Sequence, residues 1–215
     1  MVYRTVDEPR WSAMSKLILH MLMSIDGFIA DHDDVVNPAA QWDLEMHRFY
    51  LELCTDAGAA IFGRRLYQQY VLHWDQVADG AIPPATPVEL QWTQRLRDMP
   101  KYVVTRSRPE LVANTESLTG DISERIVDLK QETAGDLLLM CGPSLVAQLT
   151  ADRLIDRYML YVCPSALGQG VHLFRDLPGH LVLDHLRTVP FSSGVNLQSY
   201  APVFRDVDGP VQVPA

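Results

Sequence analysis

The chain has 215 residues, of which 47% are hydrophobic and 21% are charged, a composition typical of one globular domain with a sizeable core. Eighteen basic residues stand against 27 acidic ones, which argues against a nonspecific nucleic-acid binder because such binding needs a positive field. Three widely spaced cysteines argue against a disulfide framework and against a zinc cluster, so we expect a reducing, cytoplasmic environment. No apolar run approaches the roughly 18 residues of a membrane span, so no membrane partner is expected.

The sequence is predicted to divide into three parts. Residues 1–15 have no hydrophobic period and are predicted to be an N-terminal extension, with Met14 a plausible start of the domain. Residues 16–205 are predicted to form the folded domain. Residues 206–215 combine proline and glycine and are predicted to be a flexible tail.

Strands and helices alternate in the first part of the predicted domain. Residues 17–23 form a continuous apolar run of strand length, typical of a strand covered on both faces. Residues 43–56 have the apolar spacing of an amphipathic helix. A short buried strand follows at 59–62, and a second helix begins at Arg64. The stretch 73–90 contains three prolines and is predicted to be an irregular surface segment near a site.

The later part of the chain ends in consecutive strands. Further strands are predicted at 101–105, 136–141, 155–163, 181–189 and 195–203, and helices at 121–132 and 143–149. This order predicts an α/β fold with a central, mostly parallel sheet, flanking helices and a C-terminal antiparallel hairpin. The apolar late strands, including residues 158–162, are also predicted to offer a surface to a partner chain, because exposed sheet edges invite pairing.

Two strand-to-helix turns have the pattern of an anion site. In the first, Gly63 precedes Arg64 and Arg65, and in the second, residues 141–144 read Cys-Gly-Pro-Ser. Free N–H groups at a helix start attract phosphate, and a guanidinium adds a bidentate contact. The alternative is an ordinary turn beside solvated arginines. Residues 105–107 (Thr-Arg-Ser) follow a third strand, and parallel sheets bind ligands at the carboxyl ends of their strands.

Motifs of several other enzyme classes are missing from the sequence. There is no G-x-G-x-x-G dinucleotide fingerprint and no glycine-rich loop ending in Gly-Lys-Ser/Thr. There is also no H-E-x-x-H helix and no G-x-S-x-G elbow. Hydrolase and metalloenzyme functions therefore lack support, and no metal is expected.

Seven segments, in this order, resemble a known family. They are 17–30, 62–67, 101–106, 135–144, 154–164, 167–174 and 191–194. Together they make residues 16–204 similar to the C-terminal reductase domain of bacterial bifunctional riboflavin deaminase-reductases, especially its stand-alone relatives in the dihydrofolate reductase-like superfamily. The resemblance implies a homodimer with NADPH lying across the strand ends. The zinc signature of the deaminase half is missing from this sequence, so deamination is not expected.

The resemblance also implies roles for individual residues. The adenosine 2′-phosphate would contact Gly63, Arg64 and Arg65, and the adenine ribose would lie beside Thr105, Arg106 and Ser107. The pyrophosphate would be cradled by Gly142, Pro143, Ser144 and Leu145, and the nicotinamide by Leu22, Ile29 and Ala30. The two adjacent arginines favour NADPH over NADH. The sequence departs from the family pattern at Cys141, where glycine is frequent, and at Leu66, where threonine is usual.

Reduction also needs a proton donor, for which there are three candidates. Asp26 follows the first strand at the rim of the implied active site, although Asp-Gly is also a common turn pair. Asp43 and His47 lie four residues apart on one helical face, but a histidine there is frequently a satisfied core residue. Trp42 would stack on a flat heterocycle or hold the helix against the core.

These observations support three hypotheses about function. The first is an NADPH-dependent reductase that transfers hydride to a small pterin-like, ribosylaminopyrimidine or related C=N/C=O substrate. The second is a noncatalytic NADP(H)-binding protein of the same fold. The third is a structural dimer module, which would bind no cofactor.

Overall fold

The computed structural model describes residues 15–36 and 42–204. The predicted N-terminal extension, apart from Ser15, and the predicted tail lie outside the described residues. The proposed division into extension, domain and tail therefore stays a prediction.

The described part of the chain contains an eight-stranded sheet and a separate pair of short strands. The large sheet consists of β1 (Leu17–Ser24), β3 (Ala57–Gly63), β4 (Lys101–Val104), β5 (Thr115–Leu118), β6 (Asp136–Met140), β7 (Arg157–Cys163), β9 (Leu183–Pro190) and β10 (Asn196–Pro202). The short pair is β2 (Phe28–Ala30) and β8 (Val171–His172), which are antiparallel.

Seven strands of the large sheet run in one direction, and only β10 runs in the opposite direction. The spatial order is β5-β4-β3-β6-β1-β7-β10-β9, and the pairings from β5 to β7 are all parallel. β10 runs antiparallel to both of its neighbours. The predicted fold class, a mostly parallel sheet finished by an antiparallel hairpin, is confirmed.

Helical segments flank the sheet. They are α1 (Leu44–Asp56), α2 (Arg64–Leu66), a π-helical stretch (Tyr67–Val71), α3 (Leu72–Ala78), α4 (Pro87–Asp98), α5 (Ile122–Glu132) and α6 (Pro143–Ala151). Helices α1, α3 and α4 pack together, while α5 and α6 are joined by a hydrogen bond from Gln148 to Ser123. None of these helices is long and apolar enough to cross a bilayer, within the part of the chain that the structure describes.

The segment predicted to be irregular, 73–90, contains most of α3 and the start of α4, so that prediction was wrong at both ends and holds only for residues 79–86. Thr86 caps α4 by accepting a hydrogen bond from the Glu89 amide at 3.0 Å, and the Glu89 carboxylate accepts from the Ala85 amide. Pro87 occupies the first turn, where its missing N–H costs nothing. Thr-x-x-Glu is a capping-box pattern, a helix signal that the run of prolines obscured.

The apolar segment 158–162 lies inside the sheet. It belongs to β7, which is paired on both sides, with β1 and with β10. Tyr158 and Tyr161 are almost fully buried. Core packing therefore explains the apolar character of this segment, and residues 158–162 do not form a partner surface; whether the other late strands do stays a prediction.

Candidate functional site

The carboxyl ends of the parallel strands bring the predicted turns to one edge of the sheet. β3 ends at Gly63, β4 at Val104 and β6 at Met140, and these three strands are in parallel register. The predicted turns begin directly after these ends. Parallel sheets bind ligands at this edge, so it is the candidate site.

The two glycine-containing turns are close neighbours. A Cβ atom built on Gly63 would lie 3.2 Å from the Cβ of Cys141 and 3.5 Å from the amide nitrogen of Gly142. This close approach follows from the pairing of β3 with β6, where Phe62 lies opposite Met140. The two turns therefore form one continuous surface.

A groove of about 830 Å³ runs along this edge. Twelve residues line it: Arg64, Val104, Thr105, Arg106, Ser107, Thr119, Gly120, Asp121, Ile122, Ser144, Leu145 and Gln148. Six of the predicted cofactor-binding residues are among them. The loop after β5, residues 119–121, also lines the groove. No sequence pattern marked this loop as part of a site, because β5 carries only four residues and no apolar run.

The two adjacent arginines differ in their surroundings. Arg64 lines the groove, whereas the Arg65 Nη1 lies 2.5 Å from the Asp34 Oδ1 in a half-exposed ion pair. Arg106 reaches the groove from the next strand end. Among the described residues, no ion pair joins Arg64 or Arg106 to a carboxylate. The cationic pair that faces the groove is therefore Arg64 with Arg106.

The start of α6 supplies the other anion-binding feature. Gly142 is the residue before the helix and makes no side-chain cap, and Pro143 occupies the first turn. A Cβ at Gly142 would meet no heavy atom within 4 Å, so the surface there is open. The Ser144 hydroxyl donates a hydrogen bond to the Asp176 Oδ2 at 2.9 Å.

The predicted nicotinamide-pocket residues are buried. Leu22, Ile29 and Ala30 have exposed fractions of 6%, 5% and 3%. A Cβ atom on Gly170 would lie 2.1 Å from the Ala30 carbonyl oxygen, so the loop before β8 packs tightly over β2. These residues lie beside the edge that carries the groove, but none of them lines it.

Asp26 anchors the loop that follows β7. Its carboxylate accepts hydrogen bonds from the Ser24 hydroxyl at 2.5 Å and from the amides of Leu167 and Gly168 at 3.1 and 2.8 Å. The Ser24 hydroxyl and the Gly168 amide are the main causes that lower the pKa of Asp26 to about 2. Such a group is a poor proton donor near neutral pH, and this geometry favours the structural alternative for Asp26.

We predict that Asp26→Asn loosens the loop at 164–170, because the amide replaces one acceptor oxygen with a donor facing backbone N–H groups. Limited proteolysis should cleave this loop faster in the variant. The folded-state pKa lies below the ordinary 3.8, so the stabilisation is present above about pH 4 and is lost as the pH falls towards 2. Urea titrations should show a larger difference in the free energy of unfolding between variant and wild type at pH 6 than at pH 3. The same difference at both pH values would contradict this role.

Asp43 and His47 also have structural partners. Asp43 caps α1, accepting from the Met46 amide at 2.8 Å and from the Ser193 amide at 2.6 Å. Partial burial raises the pKa of Asp43, but these hydrogen bonds outweigh it and hold the pKa below its usual value. The His47 Nδ1 accepts from the Trp92 Nε1 at 2.9 Å, and burial lowers the pKa of His47 even though Glu89 and Asp43 raise it. Both arrangements favour the structural alternatives.

An aromatic cluster surrounds the first turns of α1. The Trp42 ring lies 5.4 Å from His47 and 6.1 Å from Trp92, nearly parallel to the latter, and Trp42 is half-buried. Trp42 packs on the core and also keeps part of its ring exposed. It could therefore hold α1 against the core, stack on a flat heterocycle, or do both.

His20 is a buried polar residue that the sequence analysis did not single out. Its Nε2 lies 2.9 Å from the Tyr161 hydroxyl, and burial lowers its pKa to about 3. The only sequence signal is a histidine inside the apolar run of β1. Within residues 15–36 and 42–204, no group of three or more His, Cys, Asp or Glu side chains, His20 included, is arranged to hold a metal ion.

The sheet order and the groove at its carboxyl edge define a dihydrofolate reductase-like fold. Dihydrofolate reductase from Enterococcus faecalis, complexed with NADP(H), matches with a TM-score of 0.56 and 12% identity, over 88% of this chain and 98% of that one. The profile of the RibD C-terminal domain matches residues 15–197, and the chain belongs to this family. The predicted resemblance is confirmed, and the family relates the chain to reductases.

Two further proteins are similar to the chain. The Thermotoga maritima diaminohydroxyphosphoribosylaminopyrimidine deaminase/5-amino-6-(5-phosphoribosylamino)uracil reductase matches with a TM-score of 0.62 and 14% identity, over 88% of this chain and 57% of that one. The uncharacterized protein YyaP of Bacillus subtilis (strain 168) is 27% identical over 180 residues, which are 84% of this chain and 91% of YyaP.

Proposed function

We propose that the protein is an NADPH-dependent reductase of a small heterocyclic substrate. The observation that carries this proposal is the groove at the carboxyl edge of the sheet, which Arg64 and Arg106 reach from neighbouring strand ends. Two guanidinium groups favour a ligand with a phosphate on its ribose, because both can form charge-assisted hydrogen bonds to it.

The groove residues suit the parts of a phosphorylated dinucleotide. Arg64 and Arg106 would hold the 2′-phosphate, with Thr105 and Ser107 beside the ribose. The open surface at Gly142 and the first amides of α6 would receive the pyrophosphate, because a glycine without neighbours permits close backbone approach. Arg65 has a smaller role in this proposal, since Asp34 neutralises it. The bound cofactor would supply the hydride.

The protein's remaining task would be to orient the substrate and to exclude water. Buried Leu22, Ile29 and Ala30 would form the apolar floor beside the nicotinamide. Asp26 and Asp43 would have structural roles, because both carboxylates accept hydrogen bonds from backbone amides of other segments. His47 would hold α1 against Trp92. The substrate proton would then come from solvent at the rim of the site.

The substrate class is inferred from the relatives and from the aromatic cluster. The Thermotoga maritima neighbour carries the name of a ribosylaminopyrimidine reductase, and the Enterococcus faecalis neighbour that of a dihydrofolate reductase. Both names point to flat nitrogen heterocycles. The half-buried Trp42 ring offers a stacking surface of matching shape.

A specific observation favours a second candidate function. Asp26, Asp43 and His47 are all engaged in structural hydrogen bonds, so none of them presents a free acid to a substrate. A noncatalytic NADP(H)-binding protein would have the same groove without a proton donor.

Calorimetry with NADPH and NADH, followed by NADPH absorbance in the presence of substrates, tests the proposal. We expect micromolar or tighter NADPH binding, weaker NADH binding, and NADPH oxidation with 5-amino-6-(5-phosphoribosylamino)uracil or a dihydropterin. Tight NADPH binding without oxidation across the panel would favour the second candidate. If neither dinucleotide binds, the third hypothesis, a structural dimer module, would be favoured.

Homodimerisation and a cytoplasmic location are part of the proposal. The sheet has an edge strand, β9, with a 45% exposed Leu186, and exposed edges invite pairing. Light scattering should give twice the monomer mass of 24.2 kDa.

A further inference from the structure

A second groove, the amino-edge groove, lies near the opposite ends of the parallel strands. Its volume is about 390 Å³, and side chains of β6, β1, β7 and β10, which are neighbours in this order, form its floor. Ile18 and Leu138, which pair near the starts of β1 and β6, mark this end of the sheet. Leu53 of α1 lines one wall, and Leu186 of β9, which is 45% exposed, lines the other. The elements of residues 15–36 and 42–204 thus leave an apolar surface open between α1 and β9.

The two walls of the amino-edge groove carry opposite charges. Glu52 and Asp56 lie four residues apart on one face of α1, and both line the first wall. Arg187 lines the wall formed by β9. Within residues 15–36 and 42–204, no ion pair joins these three side chains to an opposite charge. A complementary segment would therefore carry an apolar anchor, a base towards α1 and an acid towards β9.

Residues 1–14 precede the described part of the chain beside this groove. The Ser15 amide donates a hydrogen bond to the Lys130 carbonyl at 2.9 Å, and the Lys16 amide donates to the Asp136 Oδ1 at 2.9 Å. Asp136 itself lines the amino-edge groove. The chain therefore enters the described domain at the mouth of the groove.

The sequence of residues 7–11, Asp-Glu-Pro-Arg-Trp, carries the complementary groups in the complementary order. β1 and β9 are separated by β7 and β10, so the distance between them is about 14 Å at the usual strand spacing. An extended chain spans about 13 Å from Ser15 back to Trp11 and about 23 Å back to Glu8. Trp11 and Arg10 can thus reach the floor and the acids of α1, and Glu8 can reach the base of β9. Tryptophan and arginine are also the residue types that contribute most at the centres of interfaces.

We propose that residues 7–11 dock in the amino-edge groove of the same chain, with Trp11 between Leu53 and Leu186. Docking would bury the indole ring and would pair the charges of the segment with those of the two walls. The groove lies away from the carboxyl edge of the sheet, so this inference does not depend on the proposed cofactor or on catalysis.

The test is a double-mutant cycle in the full chain. Trp11→Ala removes the anchor, and Leu53→Gln places an amide in the wall of the groove. Leu51→Gln is the matched control, because Leu51 is also a half-buried leucine of α1 but does not line the groove. Thermal unfolding is measured for the three single variants and for each glutamine variant combined with Trp11→Ala. Tryptic cleavage after Arg10 is followed by mass spectrometry at two protein concentrations about a hundredfold apart, because only contacts between copies depend on concentration.

We expect Trp11→Ala to lower the unfolding temperature by about 3–6 °C, because the docked indole ring is buried. Cleavage after Arg10 should become about tenfold faster, since the segment is no longer held against the groove. Combined with Leu53→Gln, Trp11→Ala should cause little further loss, because both changes break the same contact. Its effect should add in full to that of Leu51→Gln.

An unfolding temperature that does not change in Trp11→Ala would overturn the proposal, and so would effects of Trp11→Ala and Leu53→Gln that add in full. Trp11 lies outside the described domain, so Trp11→Ala decides the question even if Leu53→Gln does not fold. Protection of the bond after Arg10 that disappears on dilution would assign the groove to a second copy of the chain and would also overturn docking within one chain.

Discussion

Replacing Arg64 with alanine should weaken NADPH binding by about tenfold to a hundredfold, because a charge-assisted hydrogen bond contributes roughly 1.5–3 kcal/mol. NADH, which lacks the 2′-phosphate, should bind Arg64→Ala and wild type about equally. Calorimetric titration of both dinucleotides gives the two affinities directly. Arg106→Ala should show the same selective loss, because Arg106 reaches the same groove.

Arg65→Ala is the matched control for this result. It removes the same charge one residue further along, but its guanidinium is held by Asp34 at 2.5 Å. We expect its effect on NADPH affinity to stay below about threefold, because the ion pair already neutralises the charge. A larger loss from Arg65→Ala than from Arg64→Ala would show that the adjacent pair, rather than Arg64 with Arg106, binds the phosphate.

The second large effect is expected at Gly142. Its backbone angles, φ −80° and ψ 174°, are accessible to any residue, and a Cβ there would meet no heavy atom within 4 Å. Gly142→Val should therefore fold, with a loss of about 1 kcal/mol because valine is a poor residue to begin a helix. The added side chain would fill the surface that the pyrophosphate approaches, so we expect NADPH affinity to fall by about tenfold or more.

Gly179→Val provides the comparison for Gly142→Val. A Cβ at Gly179 also meets nothing within 4 Å, and Gly179 does not precede a helix. Gly142→Val should unfold at a slightly lower temperature than Gly179→Val, because only Gly142 begins a helix, and only Gly142→Val should lose NADPH binding by calorimetry. If Gly142→Val binds NADPH as wild type does, the start of α6 does not receive the pyrophosphate.

Much of the fold could be predicted from hydrophobic pattern alone. The apolar runs of β1, β6 and β7 are continuous because these strands are buried on both faces of a parallel sheet. Short elements were harder to predict. β5 has four residues with a mixed pattern, and β2 and β8 are shorter still, so their existence depends on the strands beside them.

The candidate site was predictable in its components but not in its pairings. Glycine at a strand end followed by arginine is a local pattern, and Arg64, the arginine it marks, lines the groove. Whether Arg65 faces the groove together with Arg64 depends on its ion pair with Asp34, a residue 31 positions earlier. The commitment of His47 to Trp92 likewise spans 45 residues. No local pattern carries such information.

The two turns predicted to bind phosphate show this division most clearly. The sequence by itself determined which residues follow each strand, since burial dictates where apolar runs begin and end and glycine marks the turns between them. Only the tertiary structure decided that β3 and β6 lie side by side, that Arg106 and not Arg65 joins Arg64 at the groove, and that Asp176 reaches Ser144. The physical reason is that side-chain charges act over a few ångströms, and the chain must fold before distant residues come within that range.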